Sequence, residues 1–182
     1  MIEVREGRTF DFRQMPGADM HQPERALINH LSTQAAEAFD PCIIVHIGVA
    51  WGASVYCSRA GAPNATIYGV DILGVDTLYG TGEQKAELNL QVIRGDSRVE
   101  WEKFNQSIHF LYIDGDHFDA VSSDIKKWAS KVVSGGYVAF HDCLGRELDV
   151  VASVTRAVDE HVNLEQWEYL GIEAWSRYYR RR

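Results

Sequence analysis

Cysteine is scarce and irregularly placed: three residues, Cys42, Cys57 and Cys143, in a chain of 182. An odd count without regular spacing argues against a disulfide framework and for reduced thiols in a cytoplasmic setting. Basic charge is also short. Lys and Arg number 18 against 26 Asp and Glu, a formal net charge of −8, whereas nucleic-acid and anionic-membrane surfaces need a basic footprint. Neither nucleic acid nor membrane is therefore expected as a partner, and the run Arg177, Arg180, Arg181 and Arg182 reads as a solvated tail. No apolar run approaches the roughly 20 residues that span a bilayer. The first residues lack the basic-then-apolar order of a signal peptide. Internal repeats and low-complexity tracts are missing too. What is present, 46% hydrophobic and 24% charged residues, is ordinary for a globular protein and enough for one domain with one core.

One stretch concentrates the chemistry. Residues 110–143 read FLYIDGDHFDAVSSDIKKWASKVVSGGYVAFHDC. A buried-strand pattern, Ile108 to Ile113, ends in Asp114-Gly115-Asp116-His117. A helical pattern follows, from Asp119 (an N-cap type) to Val133, with Val121, Ile125, Trp128 and Val132 on one face and Asp124, Lys126, Lys127 and Lys131 off it. Gly135-Gly136 stands as its stop, and a second apolar strand, Tyr137 to Phe140, ends in His141-Asp142-Cys143. Parallel strands joined by a helix end on the same edge, where open α/β sheets bind ligands. Two Asp/His clusters are thus delivered to one crevice.

The rest of the chain repeats this alternation. Residues 1–23 are polar and irregular, a lead or a cover over the site, and 24–182 form the domain. Glu24 to Phe39 has helical spacing, and Asp40-Pro41 ends it. Cys42 to Ile47 is a strand apolar on both faces. Gly48 and Gly52 then supply a tight turn where backbone can approach a ligand, and Ala53 to Ala60 is helical. Thr66 to Val70 is a strand with Asp71 at its end, about 20 residues after the glycine turn and placed for a ribose diol. A short helix is expected over Glu83 to Asn89, a strand over Leu90 to Ile93, and after Arg94-Gly95-Asp96-Ser97 a helix over Val99 to Phe104. A helix over Glu147 to His161 precedes two strands, Gln166 to Leu170 and Ala174 to Tyr179, turning at Gly171. The fold class is α/β: a three-layer sandwich with a Rossmann-like, mostly parallel sheet and a C-terminal antiparallel hairpin.

With these residues in place, the chain resembles class I S-adenosylmethionine-dependent methyltransferases, and among them the small-molecule O-methyltransferases with an IDGDH motif after the fourth strand. The likeness is carried by HIGVAWGAS, YGVD, RGDS, FLYIDGDH and GGYVAFHD, in that order. It implies that Gly48, Gly52, Ser54 and Asp71 bind S-adenosylmethionine. Asp96 and Ser97 stand where the family often meets the adenine, although they also suit the cap of the next helix, and Asp114 stands near the cofactor's methionine end. It implies a divalent metal, Mg or Mn, held by Asp114, His141 and Asp142, and a small hydroxylated acceptor such as a sugar, a phenol or a polyketide-type hydroxyl. His117 occupies the place of a catalytic base, with Asp116 as its rival. Two positions depart from the family pattern. His46 replaces an acidic residue of the first motif. His141-Asp142 replaces an Asp-Asp or Asp-Asn pair, and histidine favours a softer metal than Mg.

Three other readings compete. The glycine turn lacks the middle glycine of G-x-G-x-x-G, which disfavours a nicotinamide-dependent dehydrogenase. DGDH replaces the Asn/Asp-Pro-Pro-aromatic motif of nucleic-acid amine methylation. His46 and His141 leave open a non-catalytic S-adenosylmethionine-binding module. The chain has no inserted lid, so residues 1–23 or a second copy in a homo-oligomer would complete the pocket.

Overall fold

The computed structural model describes residues 11, 20–74, 78–143 and 149–182. Two apolar runs form the middle of its sheet. β1 (Ile43–Ile47) and β4 (Ile108–Ile113) lie parallel and adjacent, Ile44 opposite Phe110 and Ile47 opposite Ile113. Both are covered on both faces, as strands flanked by crossover helices must be. β2 (Thr66–Asp71) and β3 (Leu90–Arg94) extend from β1, and β5 (Val132–Phe140) extends from β4, all parallel. The antiparallel pair β6 (Trp167–Glu173) and β7 (Ser176–Arg181) closes the sheet, with β7 against β5. The strand order β3-β2-β1-β4-β5-β7-β6 reverses between β1 and β4. That switch point opens a crevice at the strands' carboxyl ends.

Helices cover both faces. α1 (Gln22–Ala38) and α2 (Ala53–Gly61) set Leu27, Ile28, Leu31 and Tyr56 against Ile44, Ile67, Phe110 and Tyr112. On the other face, α5 (Val121–Trp128) and α6 (Asp149–His161) set Ile125, Trp128, Val154 and Val158 against Val45, Ile47, Leu111, Val138 and Phe140. α3 (Gly82–Leu88) and the single turn α4 (Ser97–Glu100) complete the order. Among the described residues, no helix is long and apolar enough to cross a membrane. The three cysteines are free and buried.

The structure corrects several boundaries. α1 begins at Gln22, two residues early, with Pro23 in its first turn and a capping box between His21 and Glu24. The expected lead at 1–10 and 12–19, and the start of the sixth helix at 147–148, lie outside the described residues. α5 stops at Trp128, a 3-10 turn covers Ala129–Lys131, and β5 starts at Val132. Gly135-Gly136 therefore lies inside a strand and does not stop a helix. The register against β4 shifts there, Gly135 has φ +82, and a Cβ on Gly136 would meet His109 O at 3.0 Å, so the pair builds a bulge. Gly171 is likewise at a register shift within β6, and the hairpin turns later, where Ala174 has φ +49.

Asp124 is the largest correction within a helix. It belongs to the buried stripe Val121, Asp124, Ile125 and Trp128, at 1% exposure, not to the solvent face. Neither of its oxygens has an aligned hydrogen bond, and burial pushes its carboxyl up to about 6. A carboxyl whose folded value is raised loses stability as pH climbs from its ordinary value through the raised one. Asp124→Asn is therefore expected to raise the unfolding midpoint at pH 8 by several degrees, reflecting about 1–3 kcal/mol, and to change it little at pH 4. Thermal denaturation at the two pH values checks this.

Candidate active site

The crevice is built by backbone before side chains enter it. Gly48 leaves β1 with φ +83 and donates its N–H to Val70 O at 2.9 Å. A Cβ on it would sit 2.1 Å from Asp114 O, so the end of β1 lies directly on the end of β4. Gly52, φ +90, opens α2, and a Cβ there would meet Leu78 Cδ2 at 2.6 Å. The Leu78–Gly80 stretch is tied down where Tyr79 N–H donates to Trp51 O at 3.0 Å and the Tyr56 hydroxyl donates to Tyr79 O at 2.7 Å. Asp71 leans over the turn. Its Oδ2 accepts Val49 N–H at 2.9 Å and Ala50 N–H at 3.2 Å, and its Oδ1 accepts Leu73 N–H at 2.8 Å. Ser54 is buried in the first turn of α2, while Trp51 and Tyr79 stay exposed at the rim. Gly48, Gly52, Ser54 and Asp71 thus all fall at the turn between β1 and α2.

Asp96 and Ser97 stand at the next strand end, occupied locally. Asp96 Oδ1 accepts Arg98 N–H at 2.9 Å, and its carboxylate pairs with the Arg98 guanidinium at 2.7 Å. The hydrogen bonds from Arg98 hold its carboxyl below the usual range. Ser97 O accepts Trp128 Nε1–H at 3.0 Å. Asp96 is the N-cap of α4, the capping alternative of the sequence.

His46 faces the core. It is fully buried, with Nε2 2.9 Å from Ser58 Oγ. Burial lowers its pKa to about 3, keeping the ring neutral. The departure from the family's acidic residue is thus absorbed by packing under α1 and α2.

The two strand ends meet as expected of a βαβ unit. His141 Nδ1 lies 3.1 Å from Asp114 Oδ1 and 3.2 Å from Asp142 Oδ2. His117 Nε2 lies 3.0 Å from Asp142 Oδ2 and 3.9 Å from Asp114 Oδ1. These are charge contacts and not aligned hydrogen bonds. Asp114 and Asp142 together push His117 up to about 9. Burial works against protonating His141, but Asp114, Asp142 and Glu24 outweigh it and raise it to about 12. The two histidines in turn hold both carboxyls low against the upward pull of burial.

Asp116 separates from this group. Its carboxylate accepts Phe118, Asp119 and Ala120 N–H at 3.2, 3.0 and 3.1 Å. Those bonds overcome burial and hold its pKa down. The residue expected as a rival base caps the turn into α5, and Asp119, expected as the cap, does not.

The ligand atoms of Asp114, His117 and Asp142 fall within 4.8 Å of one another, close enough to share one ion. Carboxylate oxygen and imidazole nitrogen suit a divalent cation, so the residues fit one. This set has His117 where the sequence led to the expectation of His141, whose Nδ1 nonetheless lies 3.1 and 3.2 Å from the same two carboxylates. Glu24, absent from the expected set, is fully buried with Oε1 3.2 Å from His141 Nε2. Its signal was readable: Glu24 continues the apolar stripe Leu27, Ile28, Leu31, where a carboxylate is out of place.

The family model described as "Methyltransferase domain" matches residues 45–143, from β1 through the end of β5. No curated protein matches the sequence. Among solved structures, the fold is similar to the O-methyltransferase NovP, with TM-score 0.70 and 17% identity over 91% of this chain and 83% of that one. It is similar to the TDP-rhamnose 3′-O-methyltransferase CalS11 of calicheamicin biosynthesis, with TM-score 0.62 and 16% identity over 88% and 81%. An O-methyltransferase from Bacillus cereus in complex with SAH matches with TM-score 0.64 and 10% identity over 92% and 84%.

Proposed function

Because the chain belongs to the methyltransferase-domain family and is an S-adenosylmethionine-dependent enzyme, we propose that it methylates a hydroxyl oxygen of a small molecule with the help of a divalent cation. The observation that carries this reading is the meeting of Asp114, Asp142, His117 and His141 beside the Gly48 turn. Gly48 lets the ends of β1 and β4 close on each other, since a Cβ there would sit 2.1 Å from Asp114 O, and that close approach shapes the turn offered to the cofactor. Gly48, Gly52 and Ser54 would receive the cofactor's amino-acid portion, Asp71 its ribose diol, and Asp96 and Ser97 its adenine side, with Asp114 between cofactor and acceptor.

Methyl transfer from sulfonium to oxygen is an in-line displacement. Positioning the nucleophile against the methyl carbon supplies much of the rate. Asp114 and Asp142 concentrate negative charge that attracts a cation and raises the basicity of His117. A divalent cation held there by Asp114 and Asp142 with imidazole nitrogen would lower the hydroxyl's pKa and orient it. His117 is half-buried, with its side chain 28% exposed, and is the more accessible of the two histidines, so it takes the proton. His141, at 4% exposure, is too deep to do so. His117 serves as a base when its carboxylate partners are shared with a second positive charge and its pKa falls back toward neutrality.

The likeness to CalS11 and NovP directs the choice of acceptors. Incubation with S-adenosylmethionine and a panel of nucleotide sugars, phenols and polyketide-type alcohols, with and without chelator, is expected to give S-adenosylhomocysteine and an O-methyl product by mass spectrometry. Binding of the cofactor without turnover across the panel would sink the reading in favour of a binding module. Unchanged turnover in chelator would remove the cation from it.

A further inference from the structure

Glu24 has no part in the chemistry above, yet it is completely buried. It stands on α1, ahead of the residues 45–143 that match the family model. A buried carboxylate is costly unless its oxygens are satisfied. Oε2 accepts His21 N–H at 3.0 Å, and Oε1 accepts the Ser176 hydroxyl at 2.9 Å. The remaining neighbour is His141 Nε2, 3.2 Å from Oε1. The opposite nitrogen of that ring, Nδ1, faces Asp114 Oδ1 at 3.1 Å and Asp142 Oδ2 at 3.2 Å, and neither nitrogen, Nε2 toward Glu24 included, has an aligned hydrogen bond. His141 is 4% exposed, so solvent satisfies neither ring nitrogen. Donor atoms bound at about 2.0–2.2 Å to one ion lie about 3 Å from their neighbours, the spacing seen here. A ligating imidazole characteristically gives its other N–H to a carboxylate, which fixes tautomer and ring orientation.

We propose that Glu24 is a positioning residue, which from α1 presents His141 Nδ1 to the cation site of Asp114 and Asp142 and makes that site select a first-row transition cation over Mg. The proposal rests on the cation reading above. An imidazole nitrogen beside two carboxylates matches Co, Ni or Zn better than Mg, which prefers oxygen alone. α1 and β7, which hold Glu24 through His21 and Ser176, thereby become part of the metal chemistry.

The test uses the full chain stripped with chelator, with Co²⁺ as the probe and Mg²⁺ as competitor. S-adenosylhomocysteine affinity, measured in parallel, reports whether each variant is folded. The wild-type protein is expected to bind Co²⁺ with a visible spectrum showing nitrogen ligation. Glu24→Gln is expected to weaken Co²⁺ about 10–100-fold at unchanged S-adenosylhomocysteine affinity. His141→Asn is expected to lose one nitrogen signature and most of the preference for Co²⁺ over Mg²⁺. Wild-type binding of Co²⁺ with an unchanged affinity in Glu24→Gln overturns this proposal alone, as does an identical Co²⁺ spectrum in His141→Asn. A wild-type protein that binds no Co²⁺ overturns it together with the cation reading. The His141→Asn spectrum keeps the test open should Glu24→Gln fail to fold.

Discussion

Replacing Asp142 with alanine is expected to lower the turnover rate for methyl transfer by about 10²–10⁴-fold, the range associated with losing positioned proton-transfer chemistry. Affinity for S-adenosylhomocysteine should hold. The reason is geometric. Asp142 stands at the end of β5, where its Oδ2 is 3.0 Å from His117 Nε2 and 3.2 Å from His141 Nδ1. The turn proposed for the cofactor is assembled by Gly48, Gly52 and Asp71 from β1, α2 and β2, and Asp142 makes no hydrogen bond to it. Alanine would leave Asp114 as the one carboxylate shared by the two imidazoles, with Glu24 still behind His141. It would lower His117's pKa and remove one of the two carboxylates proposed to hold the cation that favours ionisation of the hydroxyl. Asp142→Asn keeps an oxygen but not the charge, so its rate should fall between those of alanine and wild type. Single-turnover rates beside calorimetric binding separate the two quantities. A variant that loses cofactor affinity and rate in equal measure would contradict the division of the crevice. A variant with full rate would remove Asp142 from the centre.

The sheet and the pairing of its strand ends were legible because they follow from short-range rules. Ile108–Ile113 and Ile43–Ile47 are each apolar at all positions but one, His109 and His46, the pattern of a doubly covered strand. The crossover between β4 and β5 then forces Asp114 and Asp142 to one edge. The sequence favoured His117 over Asp116 as the base without a structural reason to separate them, because their separation is a matter of backbone direction. Asp116 turns its carboxylate onto three N–H groups of its own turn, which frees only His117 to face Asp142. Glu24 was hidden for a different reason. Its partners are His141 and Ser176, more than a hundred residues away, and no local pattern reports such a contact. What the sequence did contain was the anomaly itself, a carboxylate on an apolar stripe. Asp124 carried the same signal, three residues after Val121 and four before Trp128. Both carboxylates are buried.

Gly48→Ala is expected to abolish measurable S-adenosylhomocysteine binding and to destabilise the fold by more than about 4 kcal/mol, a size reserved for specific steric failures. Two costs combine. With φ +83, an alanine would adopt a left-handed backbone, worth about 1–2 kcal/mol against it. The new Cβ would also sit 2.1 Å from Asp114 O and 2.7 Å from Asp114 C. Those are backbone atoms of the central strand, so no rotamer change relieves the overlap, and β1 and β4 must separate at the switch point. Two other glycines distinguish this from a general intolerance. A Cβ at Gly115 would meet Ile47 Cγ2 at 3.4 Å, an ordinary contact, without a positive φ. Gly115→Ala, one residue from Asp114, should therefore keep cofactor affinity. A Cβ at Gly82 meets nothing within 4 Å, so Gly82→Ala in the first turn of α3 should be neutral or stabilising by about 0.4–1 kcal/mol. Chemical denaturation and calorimetry on the three variants give the comparison. If Gly48→Ala and Gly115→Ala bind equally well, close backbone approach at the β1 end is not what forms the cofactor site. If only Gly48→Ala fails, the contact between the ends of β1 and β4 is what shapes it.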